Sequence, residues 1–153
     1  MRAILQRVSS ASVTIDGKIT RTTGAGLMIL LGVTRSDTTE QAIWLAKKCC
    51  ELRIFSDEQD KMNLSLFDVD GEAMIVSNFT LYADCKKGRR PAYVRAARPE
   101  QADGLYLRFV EEIRSLGIKN VQTGEFGADM QVSITNDGPV TIFLDTDEIM
   151  PKP

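Results

Sequence analysis

The sequence predicts an α+β fold with a mixed, largely antiparallel sheet and two main helices. Three observations predict it: strand-forming segments outnumber helical ones, hairpin signals separate several of them, and helices do not alternate regularly with strands. The length, 153 residues, suits one domain spanning 1–153, enough chain to bury roughly two-thirds of its unfolded surface.

Residues 2–8 read as a first strand. "ASVTIDGKIT" reads as a hairpin, with Val13 and Ile15 alternating with Thr14 before the Asp16-Gly17 turn signal. "GLMILLGV" is a continuous apolar run, too short for a membrane, and predicts a buried central strand. Asp37 with Glu40 three residues on forms a capping box for a helix whose inner face is Ala42, Leu45, Ala46, Cys49 and Leu52. "LRIF" and "AMIVSNFTLY" are the next strands, separated by a polar, turn-rich stretch. Pro99 opens a second helix with Ala102, Leu105, Tyr106, Phe109, Ile113 and Leu116 inward and Gly117 as its stop. Strand-like pieces around "NVQTGEF", "MQVSIT" and "VTIFLD" finish the chain. Between the last two, Asn136-Asp137-Gly138-Pro139 reads first as an ordinary loop tip, since proline removes a pairing donor.

Composition narrows the function. Hydrophobic residues are 43% and charged residues 26%, with no run of eighteen apolar residues, so a soluble globular protein without a membrane span is expected. The apolar start of "MRAILQRVSS" is broken at Gln6 and Arg7, which predicts no signal peptide. Cys49, Cys50 and Cys85 lack metal-ligand spacing and fit reduced thiols in the cytoplasm. Histidine is absent, which excludes Ser-His-Asp and Cys-His catalysis and histidine-ligated zinc. Chemistry must come from carboxylates, hydroxyls, lysines, backbone dipoles or the substrate, and no metal or cofactor is expected.

Two constellations stand out. "ADCKKGRRPAYVRAARPE" gathers Lys86, Lys87, Arg89, Arg90, Arg95 and Arg98 in a chain whose net charge is only -2. A charge-rich loop is ordinarily just solvated, but with Gly88 for a tight path and Tyr93 as a stacking surface this one suits phosphate binding, such as a hold on a nucleic-acid end. "VSNFTLY" reads as a strand with Val76, Asn78, Thr80 and Tyr82 on one side. The hydroxyls of Ser77 and Thr80, with backbone N–H groups, could hold a carbonyl oxygen and stabilise an oxyanion, although such residues are common in strands.

Four ordered blocks, "MRAILQRVSSASVTIDG", "KMNLSLFDVDGE", "SNFTLYAD" followed by "KKGRRP", and "FGADMQVSITNDGPVT", resemble the D-aminoacyl-tRNA deacylases over essentially the entire chain. The resemblance implies a barrel-like core and a chiral proofreading hydrolase that cleaves the ester of D-aminoacyl-tRNA, and of glycyl-tRNA mischarged on tRNA(Ala), while rejecting L-aminoacyl-tRNA. It implies catalytic roles for Ser77, Asn78, Phe79 and Thr80, where the family usually has glutamine at the position of Asn78. It implies that Phe126 and Met130 receive the terminal adenosine, and that the chain is a homodimer in which a cis Gly138-Pro139 peptide, within a motif running from Asn136 to Thr141, enters the partner's pocket. Substrate contacts are expected at Gly138, Pro139, Phe126, Met130, Thr141, Lys86, Lys87, Arg89 and Arg90. The competing reading from the residues is a non-catalytic nucleic-acid-binding module resting on the basic loop.

Overall fold

A computed structural model describes residues 1–153. Its core is one mixed sheet of six strands. β1 (Arg2–Ile15) pairs antiparallel with β2 (Ile19–Thr23) and β3 (Gly26–Gly32) along one edge. Its other edge is covered along most of its length by β8 (Met130–Asp145). β3 then pairs parallel with β6 (Glu72–Ser77), and β6 parallel with β7 (Val121–Thr123). The sheet curls until β2 nears β7, where Arg21 donates to Thr123 O at 2.8 Å and Gly124 O at 3.3 Å, giving the nearly barrel-shaped core that was expected.

α1 (Thr39–Glu51) and α2 (Pro99–Ser115) pack on the sheet and on one another. α1 buries Ala42, Leu45, Ala46, Cys49 and Cys50, and α2 buries Ala102, Tyr106, Phe109, Val110 and Ile113, close to the faces that the apolar spacing predicts. Tyr106 keeps its buried hydroxyl satisfied by donating to Ile75 O at 2.7 Å. Gly117 ends α2 at φ +99, a conformation that favours glycine. A short α3 (Thr146–Ile149) follows β8.

Several expectations are corrected. The capping box of α1 is Thr38 with Gln41, not Asp37 with Glu40. Asp37 is buried and binds the Met1 ammonium at 2.7 Å and Thr34 N at 2.8 Å, a tertiary demand that local spacing cannot reveal. "LRIF" contributes only β4 (Phe55–Ser56), paired with β5 (Met62–Leu64) in a separate two-stranded sheet. The strand at residues 2–8 does not stop before the hairpin but runs on to Ile15. β8 likewise passes straight through Asn136–Pro139, so that segment is no loop tip. It is a bulge, marked by shifts in register opposite Gln6, Val8 and Ser10. Strand pairing resumes on both sides because β1 supplies one continuous partner.

Candidate active site

β6 ends at Ser77, and the chain turns there instead of extending through Tyr82 as the alternation suggests. Asn78 causes the turn. Its Oδ1 accepts from Thr80 N at 3.2 Å and from the Thr80 hydroxyl, capping a 3-10 turn over Phe79–Tyr82. Phe79 N, as the first amide of that turn, has no acceptor within it, and Phe79 is an exposed residue. Asparagine is a preferred capping residue because its short amide reaches two residues ahead; the longer glutamine fits that geometry poorly.

The turn is seated on the sheet. Asn78 N donates to Leu31 O at 2.8 Å. Beneath it lies Gly32: a Cβ there would stand 2.9 Å from Leu81 Cβ and 3.2 Å from Asn78 O. Arg2 holds the far end, donating to Leu81 O at 2.9 Å and to Asp145 at 2.8 Å while its guanidinium lies 4.5 Å from the Tyr82 ring centre. Burial opposes that charge, but the hydrogen bond and charge of Asp145 hold the Arg2 pKa above its ordinary value. Burial, then the charges of Asp37 and Asp145, push the Tyr82 phenol well up, so it stays protonated.

A cleft of about 860 Å³ opens beside the turn. Ser77, Asn78, Phe79 and Thr80 form one wall and Phe126, Gly127, Ala128, Asp129 and Met130 another, with Tyr93, Ala96, Ala97, Pro99 and Ala102 closing the third side. Mostly apolar walls with a few polar groups at one end suit a ligand with a flat apolar body and a polar reacting group. The Phe126 wall is fixed by Arg21 through its bonds to Thr123 and Gly124, and by Asp16, which exchanges bonds with Asp129 at 2.8 and 3.2 Å. Gly124 leaves room for Met130, whose Sδ would lie 2.4 Å from a Cβ there.

Ser77, Asn78, Phe79, Thr80, Phe126 and Met130 are therefore brought together. Gly138, Pro139, Thr141, Lys86, Lys87, Arg89 and Arg90 do not line this cleft. The four cations are exposed on a loop whose neck is closed by paired bonds between Asp84 and Ala92, at 2.7 and 2.9 Å. Gly138 and Pro139 are exposed at the bulge, and the bond between them is cis. Asn136 closes the base of the bulge, accepting from Val140 N at 3.0 Å and donating to Thr141 Oγ1 at 3.2 Å.

Sequence reasoning missed Arg7. Only 9% exposed, it donates to Asp137 O at 3.1 Å and to Ile54 O at 2.9 Å, with the Asp137 carboxylate 3.3 Å away. It thus braces the bulge from below. The available signal was an arginine on the inward face of β1, which is otherwise apolar there and demands acceptors for it.

Comparisons with known proteins agree with this architecture. The D-Tyr-tRNA(Tyr) deacylase family profile matches residues 4–145. A D-aminoacyl-tRNA deacylase of Clostridium botulinum (strain Eklund 17B / Type B) is 53% identical over 146 residues, covering 95% of this chain and 97% of the relative. One of Thermomicrobium roseum is 54% identical over 149 residues, covering 97% and 96%. Among solved structures, the c-Myc DNA Unwinding Element Binding Protein superposes with a TM-score of 0.89 at 41% identity, covering 95% of this chain and 98% of that one. A match over nearly the full length, at such identity and with the same fold, leaves one assignment: the chain belongs to the D-Tyr-tRNA(Tyr) deacylase family.

Proposed function

We propose that the protein is a hydrolase that removes D-amino acids from tRNA by cleaving the aminoacyl ester, acting as one domain over 1–153. The observation that carries the site assignment is the cleft that sets the Ser77–Thr80 turn opposite Phe126 and Met130. In this reading the terminal adenosine lies against Phe126 and Met130, and the ester carbonyl faces the turn, where Phe79 N is free to stabilise developing negative charge.

The Thr80 hydroxyl donates its proton to Asn78 Oδ1, an amide oxygen with no capacity to act as a base near neutral pH. That argues against Thr80 as an activated nucleophile. The better-supported mechanism has the protein orient an already reactive ester while water attacks, assisted by the neighbouring ribose hydroxyl of the tRNA. The exposed loop with Lys86, Lys87, Arg89 and Arg90 suits the phosphates of the acceptor end.

D- and L-aminoacyl groups differ only in which substituent at Cα is hydrogen, so an editor of many side chains must block the L position with something rigid. The bulge at Gly138-Pro139 is such an object, braced by Asn136 and Arg7. It lies outside its own cleft and is exposed, which favours a homodimer in which each bulge serves the partner's cleft. Glycyl-tRNA, with no side chain to exclude, would enter. The cytoplasm, where tRNA is charged, is the expected location.

The deciding experiment measures release of amino acid from D- and L-tyrosyl-tRNA by purified protein, with and without chelator. Release of the D form alone, insensitive to chelator, is expected. Binding of both tRNAs without turnover would sustain instead the reading of a nucleic-acid-binding module, which the basic loop also fits.

A further inference from the structure

Arg95 stands apart from the other cations of its segment. Its guanidinium is turned back onto the Tyr82 ring, 5.5 Å from the centre. Two residues earlier, Tyr93 meets Phe79 edge-on with ring centres 5.0 Å apart. Phe79 is the first residue of the 3-10 turn and Tyr82 the last, so the segment grips the turn at both ends. The same segment is anchored to the end of β3: Thr34 donates to Arg95 O at 2.6 Å, and Ala97 N to Val33 O at 2.9 Å. On its other side it leads directly into the Asp84–Ala92 neck of the loop carrying Lys86, Lys87, Arg89 and Arg90.

We propose that Arg95 is a positioning residue: stacked on Tyr82, it couples occupation of the cationic loop by tRNA phosphates to the geometry of the Phe79–Tyr82 turn, so that tRNA-borne esters react faster than small ones. This rests on the deacylase reading of the cleft. The physical reason is that a phosphate drawn to the loop also restrains its neck and the segment behind it. Arg95 and Tyr93 carry that restraint to the two ends of the turn. Binding energy from a remote, non-reacting part of the substrate then appears in kcat as well as in KM. A planar guanidinium suits the stacking role, and lysine reproduces its charge but not its flat face.

The test compares wild type, Arg95→Lys and Arg95→Met on D-tyrosyl-tRNA and on the 3′-O-D-tyrosyl ester of adenosine, which carries no phosphate for the loop. Arg95 is exposed, so both variants should fold, and circular dichroism checks this. Wild type is expected to show a higher kcat on the tRNA substrate. Arg95→Lys should lower kcat on tRNA by about two- to fivefold at unchanged KM, and Arg95→Met at least as much, the range set by one partly exposed cation–π contact. Neither should alter turnover of the adenosine ester. A rise in KM alone would make Arg95 one more phosphate contact and overturn the coupling. So would equal losses on both substrates, no change in either variant, or equal wild-type kcat on the two substrates. Failure of wild type to hydrolyse either D-ester would instead bring down the deacylase reading and the coupling with it.

Discussion

Gly32→Ala tests whether catalysis depends on how closely the 3-10 turn is seated. Gly32 lies outside the left-handed region, so alanine adds a methyl group without backbone strain. That methyl would stand 2.9 Å from Leu81 Cβ and 3.3 Å from Tyr82 Cδ2. Carbon atoms settle at about 3.5–4.0 Å, so turn and strand must part by about 0.6 Å or more. Neither contact atom can swing away, because Leu81 Cβ is fixed to the turn's backbone and Tyr82 is buried beneath Arg2. Overpacking of this kind costs about 1–3 kcal/mol of stability. For activity the displacement matters more, since misplacement on the order of 1 Å lowers rates about 100-fold. Single-turnover deacylation of D-tyrosyl-tRNA should slow by roughly 10- to 100-fold, with tRNA affinity little changed. Gly104→Ala is the control: it places a methyl in open space on α2 and should raise stability by about 0.5–1 kcal/mol at wild-type activity. A folded Gly32→Ala protein that keeps its single-turnover rate within about twofold of wild type would refute the seating argument.

Three further outcomes are expected. Thr80→Ala and Gly138→Ala proteins, each impaired alone, should regain activity when refolded together, because a mixed dimer keeps one cleft with an intact partner bulge; Gly138 has φ +128 and its Cβ would lie 2.9 Å from Val140 Cγ2, so alanine distorts the bulge. Failure to complement, with mixed dimers demonstrated, would count against service across the interface. Arg7→Lys loses the fork that reaches both Asp137 O and Ile54 O, and should cost about 1.5–3 kcal/mol in urea unfolding. It should also raise hydrolysis of L- relative to D-tyrosyl-tRNA, and an unchanged ratio would free the bulge from dependence on Arg7. Burial, then the charge of Glu51, pushes the Cys50 thiol from an ordinary value of 9.0 up to about 12. The unfolded chain therefore loses a proton that the folded chain keeps, so the contribution of this thiol to stability is complete below about pH 9 and is lost at roughly 1.4 kcal/mol per pH unit between 9 and 12. Cys49, Tyr82 and Tyr106, also raised by burial, add to the loss, so urea midpoints should fall across that range in wild type and fall less steeply in Cys50→Ala.

Elements whose character is written locally were legible from sequence. The apolar run at Gly26–Gly32 has no period, as befits a strand buried on both faces, and α1 and α2 carry their helical stripes openly. What escaped depends on partners distant in the chain. Nothing within residues 130–145 says that one strand continues across the bulge, because the continuous partner is β1, more than a hundred residues earlier. Asp37 looks like a cap until the Met1 ammonium is brought to it. The turn at Asn78 did leave a local clue, an asparagine two residues before a threonine, but the β-forming composition of its surroundings concealed it. In the site, Ser77 to Thr80, Phe126 and Met130 line one cleft while Gly138, Pro139 and the cationic loop lie outside it, and the roles of Gly32 and Arg95 left no local signal. Each acts through an element that only folding brings near.

The parallel trio β3, β6 and β7 has a consequence for how such a protein can change. All three strands run in one direction, and the chain leaves them at the same end of the sheet, after Gly32, Ser77 and Thr123. Two walls of the cleft belong to the one excursion after Ser77, which carries both the Asn78-capped turn and the side from Tyr93 to Ala102, and the third belongs to the excursion after Thr123. Lengthening or recolouring the stretch from Gly124 to Asp129 would alter what the far wall accepts while leaving the Asn78-capped turn untouched. The far wall can thus vary independently of the other two, on a frame that Met1 and Asp37 tie down at that same rim.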